Sequence, residues 1–324
     1  MGTSLILFAI GLVLLIKGGD WFVDGATGIA KRFNLPDIVV GATVVSIGTT
    51  LPEVMVSTTG ALQGSGAMAY GNAIGSIICN TALIAAISIT CNPGPVNVKS
   101  MKTPAIFFFG AAALYCVAAY ALGTFPQWMG FVMLAIFVVY TVLTVRNGLS
   151  NPDSAEEEEE EGGKPKKLWQ ELLLLVIGAA VIAVGADLLV EHGQIIAIGL
   201  GVPETVVALL FVALGTSLPE LVTTITSLKK GRASLGVGNV IGANVFNLVL
   251  VSGVAVSLAP FDVPVENTLL DTGLNLSLVF DIPVMLGVMS LMIFPAMLGK
   301  KLSRWQGIAL LCIYAAFVVC QFIL

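Results

Sequence analysis

The sequence predicts an all-α polytopic membrane protein of about ten transmembrane helices, built as two inverted five-helix repeats. Three observations carry that prediction. Of the 324 residues, 57% are hydrophobic and only 11% are charged, whereas a soluble domain carries about 25% charged residues. Apolar runs of roughly 20 residues, long enough to cross a bilayer, recur between charged or Gly/Pro breaks. A segment of the first half also returns 167 positions later with its motifs in register.

In chain order the expected spans are 3–29, 36–60, 68–91, 103–122, 127–146, 168–193, 203–227, 235–259, 278–298 and 304–323. The first starts with an apolar run, Leu5 to Ile16, and continues past Lys17, Gly18, Gly19 and Asp20 as a less apolar helix. Lys17 and Asp20, three apart, are close enough to pair on that helix. With no leading basic residues and no A-x-A-like cleavage site, this span reads as a retained helix, not a signal peptide.

The basic residues test the count. They follow the odd-numbered spans: Lys31 and Arg32; Lys99 and Lys102; Arg146, Lys164, Lys166 and Lys167; Lys229, Lys230 and Arg232; Lys300, Lys301 and Arg304. No even-numbered span is followed by one. The positive-inside rule then places the odd loops in the cytoplasm and both termini outside.

The longest connector contains the run Glu156 to Glu161. Blocks of like charge repel and stay solvated, so it divides the chain into a first repeat (1–146), an acidic cytoplasmic linker (147–167) and a second repeat (168–324). Read as a Ca²⁺ sensor, the run lacks a Gly-turned loop. Cys79, Cys91, Cys116, Cys312 and Cys320 show no paired spacing of a zinc site or disulfide framework and read as packing residues. Trp128, Trp169 and Trp305 flank span ends, as an interfacial aromatic belt requires. His192, the one histidine, is expected near the outer end of the sixth span.

The repeat is densest at Gly48-Thr49-Thr50-Leu51-Pro52-Glu53 and Gly215-Thr216-Ser217-Leu218-Pro219-Glu220. Glu53 and Glu220 lie in strongly apolar surroundings, where a carboxylate costs on the order of a few kcal/mol and is a functional-site candidate by default. Pro52 and Pro219 have no N–H for the carbonyls of Gly48 and Gly215, four residues back. In lipid a freed carbonyl persists only where protein, water or an ion satisfies it. Carboxylates, hydroxyls and carbonyls so gathered are the hard oxygen ligands of Na⁺ or Ca²⁺.

Downstream, GNAIGSIICN (Gly71 to Asn80) is matched by GNVIGANVFN (Gly238 to Asn247). Asn72, Ser76 and Asn80 share one helix face, as do Asn239, Ala243 and Asn247. Asn72 and Asn239 admit both a helix-packing and a ligand reading, whereas Asn80 and Asn247 are expected to ligate. Five spans per half force the halves to be inverted, and paired Gly/Pro-broken spans in inverted repeats point to a midplane site.

These two motif pairs resemble the α-repeats of the Na⁺/Ca²⁺ exchangers in the Ca²⁺/cation antiporter superfamily. The resemblance implies antiport by alternating access, with spans two, three, seven and eight forming the site and spans one and six sliding against them. It assigns ligand roles to Glu53 and Glu220, to Thr49, Thr50, Thr216 and Ser217, to the carbonyls of Ser46 and Ala213, and to Ser76 and Asn80. On the eighth span Ala243 stands where well-described prokaryotic members have Ser, and Asn247 where they have Asp. The site would then hold two formal negative charges, enough for one Ca²⁺ or two Na⁺.

The G-N-x-x-E pattern of the superfamily's cation/proton exchangers is absent. The alternative is nonetheless a Na⁺/H⁺, K⁺ or other cation exchanger whose glutamates carry protons. Paired Asp20 and Asp187 as a protease dyad, and a passive channel, are the readings from other classes. No P-loop is present, so the expected partners are inorganic cations and the lipid bilayer, with no cofactor and no nucleic acid. A prokaryotic plasma membrane is the expected location.

Overall fold

The computed structural model describes residues 2–150, 167–200, 215–264 and 274–323. The acidic run, Ala213 and the first half of the seventh expected span lie outside the described residues. In order, the helices are α1 (Gly2–Phe33), α2 (Asp37–Thr49), α3 (Leu51–Leu62), α4 (Gly66–Cys91), α5 (Val98–Leu122) and α6 (Gln127–Leu149). The second half supplies α7 (Leu168–Gly199), α8 (Leu218–Lys229), α9 (Ala233–Leu258), α10 (Ser277–Gly299) and α11 (Arg304–Ile323).

Among the described residues eight helices are long and apolar enough to cross a membrane. The pair α2 and α3, bent by 45°, makes a ninth, broken span. The expected tenth is represented by α8 alone.

Span ends match expectation to within five residues, with one exception. α5 starts at Val98 because the Asn97 side chain accepts the Lys99 N–H at 3.0 Å, an N-cap that draws the two lysines into the first helical turns. The exception is α7, which runs on to Gly199. Gly193 is buried in it and does not end it, since an interior glycine costs only about 1 kcal/mol. His192 therefore sits two turns inside the helix, a correction to the end position expected for it.

Burial sorts the helices into an inner and an outer set. In α4 and α9, 72% and 89% of the apolar window is buried; in α7 and α11 it is 22% and 17%. The core is thus α4 and α9, with the bent pair α2 and α3 and the short α8 packed against them. Ile6, Val13, Val176 and Val184 on α1 and α7 are exposed, as lipid-facing side chains should be.

α1 and α7 pack antiparallel along a glycine seam. A Cβ on Gly18 would come within 2.9 Å of the Ile182 nitrogen, and one on Gly178 within 2.5 Å of the Phe22 nitrogen. Gly11 and Gly185 abut each other's carbonyls in the same way. Shifting Gly11 and Gly18 by 167 positions gives Gly178 and Gly185, so the two contacts exchange partners as an antiparallel two-fold would. Small residues of this kind let helix backbones approach closely.

Two short ribbons tie the loops together. β1 (Gly94–Pro95) pairs antiparallel with β4 (Lys301–Leu302), and β2 (Thr124–Phe125) with β3 (Phe261–Asp262). The first joins the loops after spans three and nine, both in the basic set; the second joins those after spans four and eight, both outside it. A cavity of about 530 Å³ opens among the basic loops, lined in part by Lys31, Asn34, Asn92 and Asn97.

Ion pairs cluster with the basic loops. Arg232 holds Asp37 at 2.9 Å with both side chains nearly buried, and Arg32 holds Glu171 at 2.9 Å. Lys230 reaches Asp24 at 2.7 Å and Asp20 at 3.5 Å. Asp20 therefore takes Lys230 in place of the expected Lys17.

Candidate cation site

The two central motifs fold alike because they share the same local chemistry. Thr50 (φ −85°, ψ −3°) ends α2, and Ser217 (φ −88°, ψ 4°) precedes α8. Each is followed by Leu-Pro-Glu, with proline in the first helical turn where its missing N–H costs nothing. Glu53 and Glu220 thus lie in the first turns of α3 and α8, at the positive end of each helix dipole. Both are fully buried.

α4 and α9 present the other wall. Each is α-helical as far as Cys79 or Phe246 and then widens into π-helical turns at Asn80–Ala85 and Asn247–Val251. No sequence signal marks these turns, which frequently accompany functional sites. Asn80 and Asn247 are the first residues of the two wide turns and are fully buried. Ser76 is buried one turn before Asn80. Ala243, its counterpart on α9, is buried and brings no polar side-chain atom.

Buried polar groups normally find partners; here a set of them does not. Both carboxylate oxygens of Glu53 and of Glu220 lack a hydrogen-bond partner in the protein. So do Thr50 Oγ1, Ser217 Oγ, and the side-chain oxygen and nitrogen of Asn80 and of Asn247. The two carboxylates are within electrostatic reach of each other, and Thr49 and Thr50 lie beside Glu220. Among the described residues Arg232 is the only buried Lys or Arg, and it is engaged with Asp37.

Hydrogen bonds cross between the repeats in matched fashion. Thr49 Oγ1 donates to Asn239 Oδ1 at 3.1 Å, and Thr216 Oγ1 donates to Asn72 Oδ1 at 3.3 Å. Each half's threonine thus bonds the other half's asparagine. A hydroxyl whose proton is so engaged turns its lone pairs away from the acceptor, where a cation can use them. Sequence reasoning left Asn72 and Asn239 open between packing and ligation; their oxygens hold the threonines. Ser46 Oγ lies 2.8 Å from the Gly41 carbonyl and 2.9 Å from that of Asn239, either of which can take its proton. Thr216 is half-buried, and Ala213 is outside the described residues.

Among the described residues no group of three or more His, Cys, Asp or Glu is gathered. The unpartnered oxygens are those of two carboxylates with hydroxyls and amides, and the expected Ser46 carbonyl accepts the Thr50 N–H at 3.0 Å. Such oxygens suit hard cations and not thiolate- or imidazole-seeking metals.

Comparison with known proteins agrees. The family model described as sodium/calcium exchanger protein matches residues 3–146 and 171–323. The sodium/calcium exchanger MaX1 of Methanosarcina acetivorans is 30% identical over 355 aligned positions, covering 99% of each chain. An uncharacterized membrane protein of Methanocaldococcus jannaschii is 34% identical over 309 positions, covering 95% of this chain and 94% of that one. Among solved structures, the sodium-calcium exchanger NCX_Mj soaked with Na⁺ and Sr²⁺ superposes with a TM-score of 0.80 at 32% identity, over 98% of both chains. With both Leu-Pro-Glu motifs inside the matched segments, this multi-pass membrane protein belongs to the sodium/calcium exchanger family, a family of transporters and not of enzymes.

Proposed function

We propose that this protein exchanges Na⁺ for Ca²⁺ across a plasma membrane by alternating access. The observation that carries this reading is the pair of repeat-related, fully buried glutamates whose four oxygens have no protein partner. Charges of this kind are costly unless paired with charge or metal. One Ca²⁺ or two Na⁺ neutralise both, so the ions exclude one another and the emptied site has a reason to rebind before it turns over.

In this reading the ligands are Glu53 and Glu220, the hydroxyl or carbonyl oxygens of Thr49, Thr50, Thr216 and Ser217, the carbonyls of Ser46 and Ala213, and Ser76, Asn80 and Asn247. Asn72 and Asn239 orient the two threonines. The halves 1–146 and 168–324 are inverted repeats joined by a cytoplasmic linker, both termini lying outside. The exchanged glycine contacts of α1 and α7 and the crossed Thr–Asn bonds support that symmetry. In this reading α1 and α7, held together by the seam, slide as a pair past the site.

Radiolabelled Ca²⁺ uptake into Na⁺-loaded proteoliposomes tests the proposal. Uptake should require the outward Na⁺ gradient and vanish in Glu53→Gln and Glu220→Gln. Asn247 and Ala243, which add no charge or hydroxyl, favour one second reading: exchange of another cation with the glutamates carrying protons. Folded protein that ignores Na⁺ and Ca²⁺ but follows a proton gradient would establish it.

A further inference from the structure

The unpartnered polar groups do not stop at Glu220. Thr223, Thr224 and Ser227 are buried to 0%, 2% and 0% exposure, and none of their hydroxyls has a protein partner. Hydroxyls inside helices commonly bond the carbonyl four residues back, as Thr43 does to Val39 and Thr90 to Ala86, each at 2.7 Å. Those on α8 do not.

Glu220, Thr223, Thr224 and Ser227 are spaced i, i+3, i+4 and i+7, which is one face of a helix. With a rise of about 1.5 Å per residue, Ser227 lies roughly 10 Å from Glu220 along the axis. The direction is toward Lys229 and Lys230, the basic end. On one flank of this face Val222 and Thr226 pack against Gly19 of α1; on the other, Thr224 packs against Gly236 of α9. Thr223 and Ser227 lie between the flanks.

The first repeat is different at every one of these positions. Val56 stands for Thr223 and Gly60 for Ser227, and Gly60 is covered by Met68. Ser57, the counterpart of Thr224, is closed by Asn72, whose Nδ2 donates to Ser57 Oγ at 2.8 Å and to the Glu53 carbonyl at 3.2 Å. The corresponding Asn239 Nδ2 and Thr224 Oγ1 are both unpartnered.

We propose that Thr223, Thr224 and Ser227 form a hydrated path along α8 by which the cation travels between Glu220 and the basic end of the molecule, while the matching face of α3 is sealed. Hydroxyl oxygens one and two turns from the carboxylate replace part of the cation's hydration shell as it is shed, and so lower the barrier to entry without holding the ion at rest. This rests on the reading of Glu220 as a cation ligand.

Two experiments in proteoliposomes test it. Thr223→Cys and Ser227→Cys are exposed to a membrane-impermeant methanethiosulfonate reagent from each side, and modification is scored on the α8 peptide by mass spectrometry. Both should be modified from the side of the basic loops and be protected by Ca²⁺, with Val56→Cys unmodified from either side. No modification, or modification from the opposite side alone, overturns the path. In the second experiment, the Thr223→Val/Ser227→Ala double variant should exchange about tenfold more slowly, the cost of roughly one lost polar contact at the barrier. Its half-saturating Ca²⁺ should stay within about twofold of the parent's, and Thr223→Ser with Ser227 retained should exchange at the parent rate. An unchanged maximal rate in the double variant overturns the path and leaves the ligand reading standing. A parent protein that does not exchange Ca²⁺ at all strikes the ligand reading instead.

Discussion

α3 and α8 begin alike: matching backbone angles at Thr50 and Ser217, a proline in the first turn, and a buried glutamate with free oxygens. Beyond the glutamate they part. α3 continues with Val56, a Ser57 closed by Asn72, and Gly60 under Met68, whereas α8 continues with three buried hydroxyls that bond nothing in the protein. In the proposed reading the shared part holds the ion, which is why both repeats would keep it, and the divergent part governs how the ion arrives, on which two inverted repeats need not agree.

The largest expected effect probes the shared part. Glu53→Gln and Glu220→Gln should each lower exchange by about a hundredfold or more, since each removes half of the charge proposed to bind the ions. If one variant kept most of its activity in the uptake assay, the two repeats would not be equivalent at the site. Next comes Arg232→Ala, which leaves Asp37 nearly buried without its cation and should cost about 3 kcal/mol of stability. Denaturant titration in detergent reads it, and a loss below about 1 kcal/mol would show the pair to be solvated.

Asn72→Ala should destabilise by about 1–2 kcal/mol through Ser57, the Glu53 carbonyl and Thr216. Asn239→Ala should cost less, because its Nδ2 has no bond to lose. Equal losses in thermal melts would erase the difference drawn between α3 and α8. Asn247→Asp adds a third carboxylate and should tighten Ca²⁺ binding about tenfold, as ligand charge does in other Ca²⁺ sites. The smallest effect is expected of Lys230→Ala. Its pairs with Asp20 and Asp24 are exposed, so the loss should be under about 1 kcal/mol and should shrink as salt is raised.

Much of this was legible in the chain. Span positions follow from apolar runs between charged or Gly/Pro breaks, and the repeat of Leu-Pro-Glu singles out both glutamates. The π turns at Asn80 and Asn247 were not, because nothing in a run of apolar residues distinguishes a wide turn from an ordinary one. The crossed bonds join residues 190 and 144 positions apart, and only the folded chain shows which threonine meets which asparagine. The α8 hydroxyls had a sequence signal in their spacing from Glu220. That spacing alone singles nothing out, because threonine and serine on a membrane helix usually satisfy themselves on their own backbone. His192 was misplaced because Gly193 reads as a break, although packing keeps it helical.

One pair of glutamates is proposed to serve both ions in turn. Equilibrium binding of radiolabelled Ca²⁺ to the purified protein across a Na⁺ titration tests it most directly, with Glu53→Gln and Glu220→Gln alongside. Na⁺ should displace Ca²⁺ competitively in the parent, and both variants should lose high-affinity Ca²⁺ binding. Ca²⁺ binding that survives in either variant, or that Na⁺ fails to displace, would contradict it.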